Sequence, residues 1–263
     1  LSSSSAASDV YKRQALGSAY LSGILLKHVA FPYNYTFIFA LGTVFLLLDV
    51  VTFSLMREPS ENIVAKETTY FQYIKDIPSV LRNDIKFVKL IAGGTFFVIC
   101  NISLVYYTLY AIRRFYAKAD EVALFMIITV VVNTLGSILF GLLADRFGHR
   151  LVMIASSACG AAAGLIVLGF NSILAVFVAF AFSSLCYCGF MLSGNILMMK
   201  YVPQEQIPTY FGIYNMITLV VLSFMTAVSS LLVDAFSFVP LFIITGLSGL
   251  GAFIVFFYFL WEK

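Results

Sequence analysis

Gly141-Leu142-Leu143-Ala144-Asp145-Arg146-Phe147-Gly148-His149-Arg150 is a short polar knot between two long apolar runs, 121–143 and 150–170. A hydrocarbon core about 30 Å thick takes roughly 20 helical residues to cross, so each run is long enough to span it. The knot between them has room only for a tight hairpin, which makes the two helices antiparallel neighbours. Gly148 can adopt the backbone angles such a turn requires, and Gly141 permits close helix approach. Asp145 is placed to accept backbone N–H groups at a helix N-terminus. Arg146 and Arg150 suit the surface of an anionic lipid leaflet.

Outward from this knot the same pattern repeats. Eight apolar segments have spanning length, at about 15–31, 33–56, 89–110, 121–143, 150–170, 173–199, 210–234 and 237–260. The expected fold is therefore all-α, a polytopic membrane helix bundle of about eight transmembrane helices. Composition agrees: of 263 residues, 61% are hydrophobic and 11% charged, and the mean hydropathy is +0.98. Soluble domains carry about 25% charged residues, so a chain this poor in charge needs lipid as its solvent.

The chain divides into four parts. Residues 1–14 are Ser-rich, polar and aperiodic; they resemble translated adapter sequence and are expected to lie outside the fold. Residues 15–56 hold two helices. Residues 57–88 form a charged linker in which Tyr70, Phe71, Tyr73, Ile74, Ile77, Val80 and Leu81 recur near helical spacing, the pattern of an amphipathic helix on the membrane surface. Residues 89–263 hold six helices. Lys and Arg are more numerous on the side of the linker than on the opposite side, which predicts a cytoplasmic linker and C-terminus. Arg113, Arg114 and Lys118 run against this bias. They form either a solvated loop offset by Asp120 and Glu121 or a basic outer mouth.

Several function classes are disfavoured. The formal charge of +3 is too small to argue for nucleic acid as a partner. There is no Gly-rich phosphate loop, CxxC pair or HExxH helix, so no catalytic residue, metal site or cofactor is expected. The chain holds four cysteines, which read as small apolar packing residues, with Cys186 and Cys188 on different helix faces. An enzyme is disfavoured because the two histidines, His28 and His149, are not part of any membrane-depth cluster of His, Asp and Glu.

Polar residues at membrane depth are costly and often functional, though they also serve as hydrogen bonds between helices. Here they include Asn101, Tyr106, Tyr107, Asn133, Tyr187, Asn195 and Asn215. Asp49 is the one acid clearly within a span and is a possible proton site.

The G-x-L-x-D-R-x-G-x-R order of residues 141–150 resembles the loop signature of the major facilitator superfamily, with His149 where the family has Arg or Lys. Arg57-Glu58-Pro59 resembles that family's stop after its sixth helix. Residues 203–212 resemble the turn before its eleventh helix, with Ile207 in place of the usual Arg. The resemblance covers nearly all of residues 15–263 and implies that the eight segments are the fifth to twelfth helices of a twelve-helix fold. Four N-terminal helices would then be missing partners, and the chain alone should not transport.

The resemblance implies a secondary active transporter that moves a small solute by alternating access, and the adapter-like start suggests a bacterial source and so a bacterial inner membrane. A receptor or binding module on the same fold is the alternative. The cavity would be lined by segments 89–110, 173–199 and 210–234, which singles out Asn101, Tyr106, Tyr187, Asn195 and Asn215 as substrate-binding residues. Gly141, Asp145, Arg146, Gly148 and Arg150 would form the gating loop. The expected partners are a small-molecule substrate and the lipid bilayer.

Overall fold

The computed structural model describes Val29 and residues 33–55, 77–82 and 84–261. Among them are seven helices long and apolar enough to cross a membrane, and no strand. The protein is an integral, multi-pass, all-α membrane protein. The helices are α1 (Tyr33–Ser54), α2 (Ile85–Phe115), α3 (Ala119–Phe147), α4 (His149–Gly169), α5 (Ile173–Tyr201), α6 (Ile207–Phe236) and α7 (Val239–Trp261), with a 3-10 turn at Gln204–Gln206 before α6. The expected span 15–31 and most of the linker lie outside the described residues.

The chain separates into two units, residues 1–67 and 68–263. The first contributes α1, which is exposed along almost its whole length, with Asn34 buried. Asn34 accepts the Tyr35 N–H at 2.8 Å, as a first-turn side chain can where backbone donors have no helical partner.

The second unit is the helix bundle. Its helices start earlier or end later than their apolar runs. α2 begins at Ile85 rather than residue 89 and continues to Phe115 rather than 110. The early start has a local cause: Asp84 accepts the Phe87 N–H at 3.0 Å and so caps the helix. Ahead of it, residues 77–82 are helical. Ile77, Val80 and Leu81 pack on the bundle's core, whereas their spacing in the linker predicts an apolar face toward the membrane surface.

α4 lies at the centre, packed most extensively on α5 and α7. α2 packs on α5, α6 and α7, while α3 leans mainly on α5. The α4–α7 seam is a backbone contact. A Cβ on Gly164 would stand 2.8 Å from the Phe242 carbonyl oxygen, and one on Gly249 would stand 2.6 Å from Ala161 Cα. Such small-residue seams let helices approach closely in lipid, where dispersion contacts rather than water expulsion favour association. The Gly160-Ala161-Ala162-Ala163-Gly164 stretch carries this signal in the sequence.

Two large apolar clusters fill most of the bundle, and a smaller one joins Phe140 and Ala144 of α3, Val152 of α4 and Cys188 of α5. One large cluster joins the start of α2, Met153 and Ile154 of α4, the end of α5, the start of α6 and Phe256 of α7. The other joins the later part of α2, Phe125 of α3, Val176 and Phe180 of α5, Val233 of α6 and the start of α7. Alternating helix direction places the two large clusters at opposite ends of the bundle. Large apolar side chains such as Met126, Val130 and Leu139 of α3 stay exposed, as lipid-facing residues do.

Candidate functional site

A cavity of about 270 Å³ opens between α2, α5 and α6. Its wall is built from Leu90, Phe97 and Val98 of α2, from Phe190, Met191, Gly194, Asn195 and Met198 of α5, and from Tyr214, Asn215 and Thr218 of α6, with Met153 of α4 behind. The rings of Phe97 and Phe190 stack with centroids 3.6 Å apart and planes 6° apart. Tyr214 reaches toward α2 because Gly94 leaves it room: a Cβ there would stand 2.7 Å from Tyr214 Cζ.

The polar residues of this wall are Asn195, Asn215, Tyr214 and Thr218. Thr218 donates to the Tyr214 carbonyl at 2.8 Å, so its hydroxyl is spent within its own helix. The side-chain amides of Asn195 and Asn215, both on exposed residues, hydrogen-bond to none of the described residues. An amide offers two donors and an acceptor, so these two groups are open to a ligand.

The structure thus brings Asn195 and Asn215 to one cavity. Tyr187 stands beside it, its ring 6.3 Å from that of Phe97. Asn101 points elsewhere: its Nδ2 donates to the Phe97 carbonyl at 3.1 Å and lies 3.9 Å from Cys186 Sγ, and its buried Oδ1 is unpartnered. Tyr106 packs on the cluster at the other end of the bundle. Neither Asn101 nor Tyr106 lines the cavity. Tyr214 and Thr218 were not singled out from sequence. Their place one helical turn apart, beside Asn215, is the signal that identifies them.

The cysteines divide as their spacing predicts. Cys186 faces α4, where a Cβ on Gly160 would meet Cys100 Sγ at 2.7 Å and Cys186 Sγ at 2.9 Å. Cys188 faces α3 and donates to the Asn133 carbonyl at 3.6 Å. No group of three or more His, Cys, Asp or Glu able to hold a metal occurs among the described residues.

The α3–α4 knot sits at the end of the bundle where α5 finishes and α6 begins. Gly148 has φ 88°, a left-handed value that side chains disfavour, and its N–H bonds to the Ala144 carbonyl at 2.8 Å. Two expectations are corrected here. Asp145 does not cap α4: α3 runs on to Phe147, so Asp145 lies in the last turn of α3, exposed, and the start of α4 has no side-chain cap. Gly141 serves no close approach, since a Cβ there would meet nothing within 4 Å among the described residues.

Arg146 lies over the ring of its neighbour Phe147 at 5.3 Å. Arg150 is half-buried; its Nε donates to the Tyr201 hydroxyl, and its guanidinium lies 5.1 Å from that ring's centroid. His149 Nδ1 stands 3.2 Å from Ser193 Oγ. The turn is therefore fastened to α5 by His149 and Arg150, while Asp145 and Arg146 face outward.

At the opposite end, Arg113 and Asp234 form an exposed pair at 4.0 Å, and the Lys118 N–H donates to Glu121 at 2.8 Å. Arg113 is thus paired with Asp234, and Glu121 meets the Lys118 backbone. Asp49 lies exposed on α1.

A second hollow, of about 490 Å³, opens between α2, α3 and α5. It is lined almost wholly by apolar groups, among them Leu104, Ile112, Phe125 and Met126.

The amino-acid sequence has known relatives. The chain is 27% identical over 144 residues to the uncharacterized MFS-type transporter YfnC of Bacillus subtilis (strain 168), a match covering 51% of this chain and 32% of that protein. The match thus spans about a third of the relative's length. The family model of the Major Facilitator Superfamily matches residues 91–263, the bundle that contains both the cavity and the knot. The chain belongs to the Major Facilitator Superfamily.

Proposed function

We propose that the complete gene product is a secondary transporter that moves a small solute by alternating access, and that the α2–α5–α6 cavity is this chain's share of the solute site. The observation that carries this reading is the pair of open amides, Asn195 and Asn215, facing one cavity at membrane depth. A polar group there without a partner is costly, so it persists where a ligand or water meets it. Transporters place their solute sites near the bilayer midplane between two helical halves. In this reading residues 15–56 close the first half, 57–88 form a cytoplasmic linker and 89–263 form the second half. Four further helices precede the chain. The protein resides in a bacterial inner membrane with a cytoplasmic C-terminus.

The outward-facing Asp145 and Arg146 supply a latch on the cytoplasmic side, while Arg150 and His149 hold the turn in place through α5. Asp49 is a candidate proton carrier only if protons drive the cycle.

Two experiments test this. Sequencing the locus upstream of Ala15 should reveal a continuous frame with four more hydrophobic helices and a second loop signature; a native start immediately before the Ser-rich segment would contradict it. Reconstitution of the complete product in proteoliposomes should give saturable solute uptake. Saturable binding without uptake would favour a receptor or binding module instead.

A further inference from the structure

We propose that the α2–α5–α6 wall binds an uncharged, planar moiety that carries an amide-like hydrogen-bonding edge. This inference rests on the cavity being the solute site and adds the chemistry of what it takes. None of the cavity's lining residues is Asp, Glu, Lys, Arg or His. A charged group brought to this wall would lose its hydration without gaining a counter-charge, which disfavours ions of either sign.

The apolar part of the wall suits a flat ring. The stacked, buried Phe97 and Phe190 line the cavity, Met191 is exposed beside them, and the thioethers of Met153 and Met198 lie buried behind. Methionine sulfur makes favourable contacts with ring edges and adapts to irregular shapes. The cavity volume of about 270 Å³ lies just below the range that encloses a whole drug-sized ligand, so it matches one ring-sized moiety.

The polar part sets the functional group. Asn195 on α5 and Asn215 on α6 approach the cavity from different helices, and each presents an amide that bonds to no described residue. Two amides present donors and acceptors together. Their complement is a group that also both donates and accepts, such as a carboxamide, lactam or urea.

The test uses three monocyclic probes of similar size: benzamide, which is neutral, benzoate, an anion, and benzylammonium, a cation. Binding to the complete gene product in lipid nanodiscs is read by saturation-transfer NMR with unlabelled competitor. Benzamide should bind saturably and at least ~10-fold more tightly than either ion. The double variant Asn195→Ala/Asn215→Ala should weaken it about 20-fold, on the order of one hydrogen bond's loss at each position. A second variant, Asn195→Asp, guards against a folding defect: it should lose benzamide and gain benzylammonium.

Benzoate or benzylammonium bound as tightly as benzamide, with the same dependence on Asn195 and Asn215, would overturn the uncharged class while leaving the site in place. Absence of saturable binding by all three would overturn the planar amide class. Benzamide binding unchanged in both variants would sink the placement of the site itself.

Discussion

The ring of Tyr214 on α6 lies against the backbone of Gly94 on α2, so closely that a Cβ at Gly94 would stand 2.7 Å from both Tyr214 Cζ and Cε2. This contact sets how far α6 leans over the cavity and where the tyrosine ends within its wall. Gly94→Ala should push the tyrosine outward and reduce benzamide affinity several-fold. The helix itself gains up to about 1 kcal/mol from the replacement, so the unfolding midpoint should stay nearly constant. Affinity and thermal stability measured together check this; a parallel fall in both would mean that the contact serves only packing.

The α4–α7 seam makes a sharper stability prediction. At Gly164 and Gly249 an added methyl group meets backbone of the facing helix rather than a movable side chain. Overpacking of this kind costs about 1–3 kcal/mol. Gly164→Ala and Gly249→Ala should each lower the thermal midpoint in detergent, whereas Gly141→Ala, with open space around it, should leave it unchanged or raise it.

Tyr107 is fully buried, and its hydroxyl lies near Ser103 and Ser183 without a hydrogen bond of good geometry to either. The ring stacks on Phe242 with centroids 5.2 Å apart. Removing a buried, unpaired hydroxyl recovers on the order of 1 kcal/mol, whereas removing the ring forfeits about 3–5 kcal/mol. Tyr107→Phe should therefore be neutral or stabilising in a thermal melt, and Tyr107→Ala strongly destabilising. A large loss in the Phe variant would show that the hydroxyl is paired in the membrane.

Asp145 stands in the last turn of α3, where the helix dipole disfavours an anion, and it bonds to no described residue. On the proposed transporter reading, this acid finds its partner in another state of the cycle. Asp145→Asn should reduce uptake by the complete product on the order of tenfold, the worth of one charge-assisted hydrogen bond, with membrane insertion intact. Unchanged uptake would remove Asp145 from the latch.

The helices were legible in the sequence because lipid leaves little choice: an apolar run of spanning length must satisfy its backbone internally. Their ends were less so. Asp84 extends α2 through a side-chain cap that hydropathy does not register, and α3 continues through Asp145 and Arg146 to Phe147 because helical backbone tolerates charge where the membrane surface lies. Of the polar candidates, Asn195 and Asn215 reached the cavity, while Asn101 turned to the Phe97 carbonyl and Cys186. Which way an asparagine faces depends on helix rotation within the bundle, and these helices are apolar on nearly every side. The ties of His149 to Ser193 and Arg150 to Tyr201 also join residues far apart in the chain, so only the fold reveals them.

On the proposed reading, Asn195 and Asn215 line a water-accessible path and do not face lipid. It is tested by placing Asn195→Cys or Asn215→Cys in the complete gene product, expressed in native membranes, and applying a membrane-impermeant maleimide. The control is Leu247→Cys, an exposed apolar position of α7. Both cavity positions should be labelled well above the background of the native cysteines, and Leu247→Cys should not. Labelling of neither Asn195→Cys nor Asn215→Cys would place them against lipid or packed protein and contradict a solute site there.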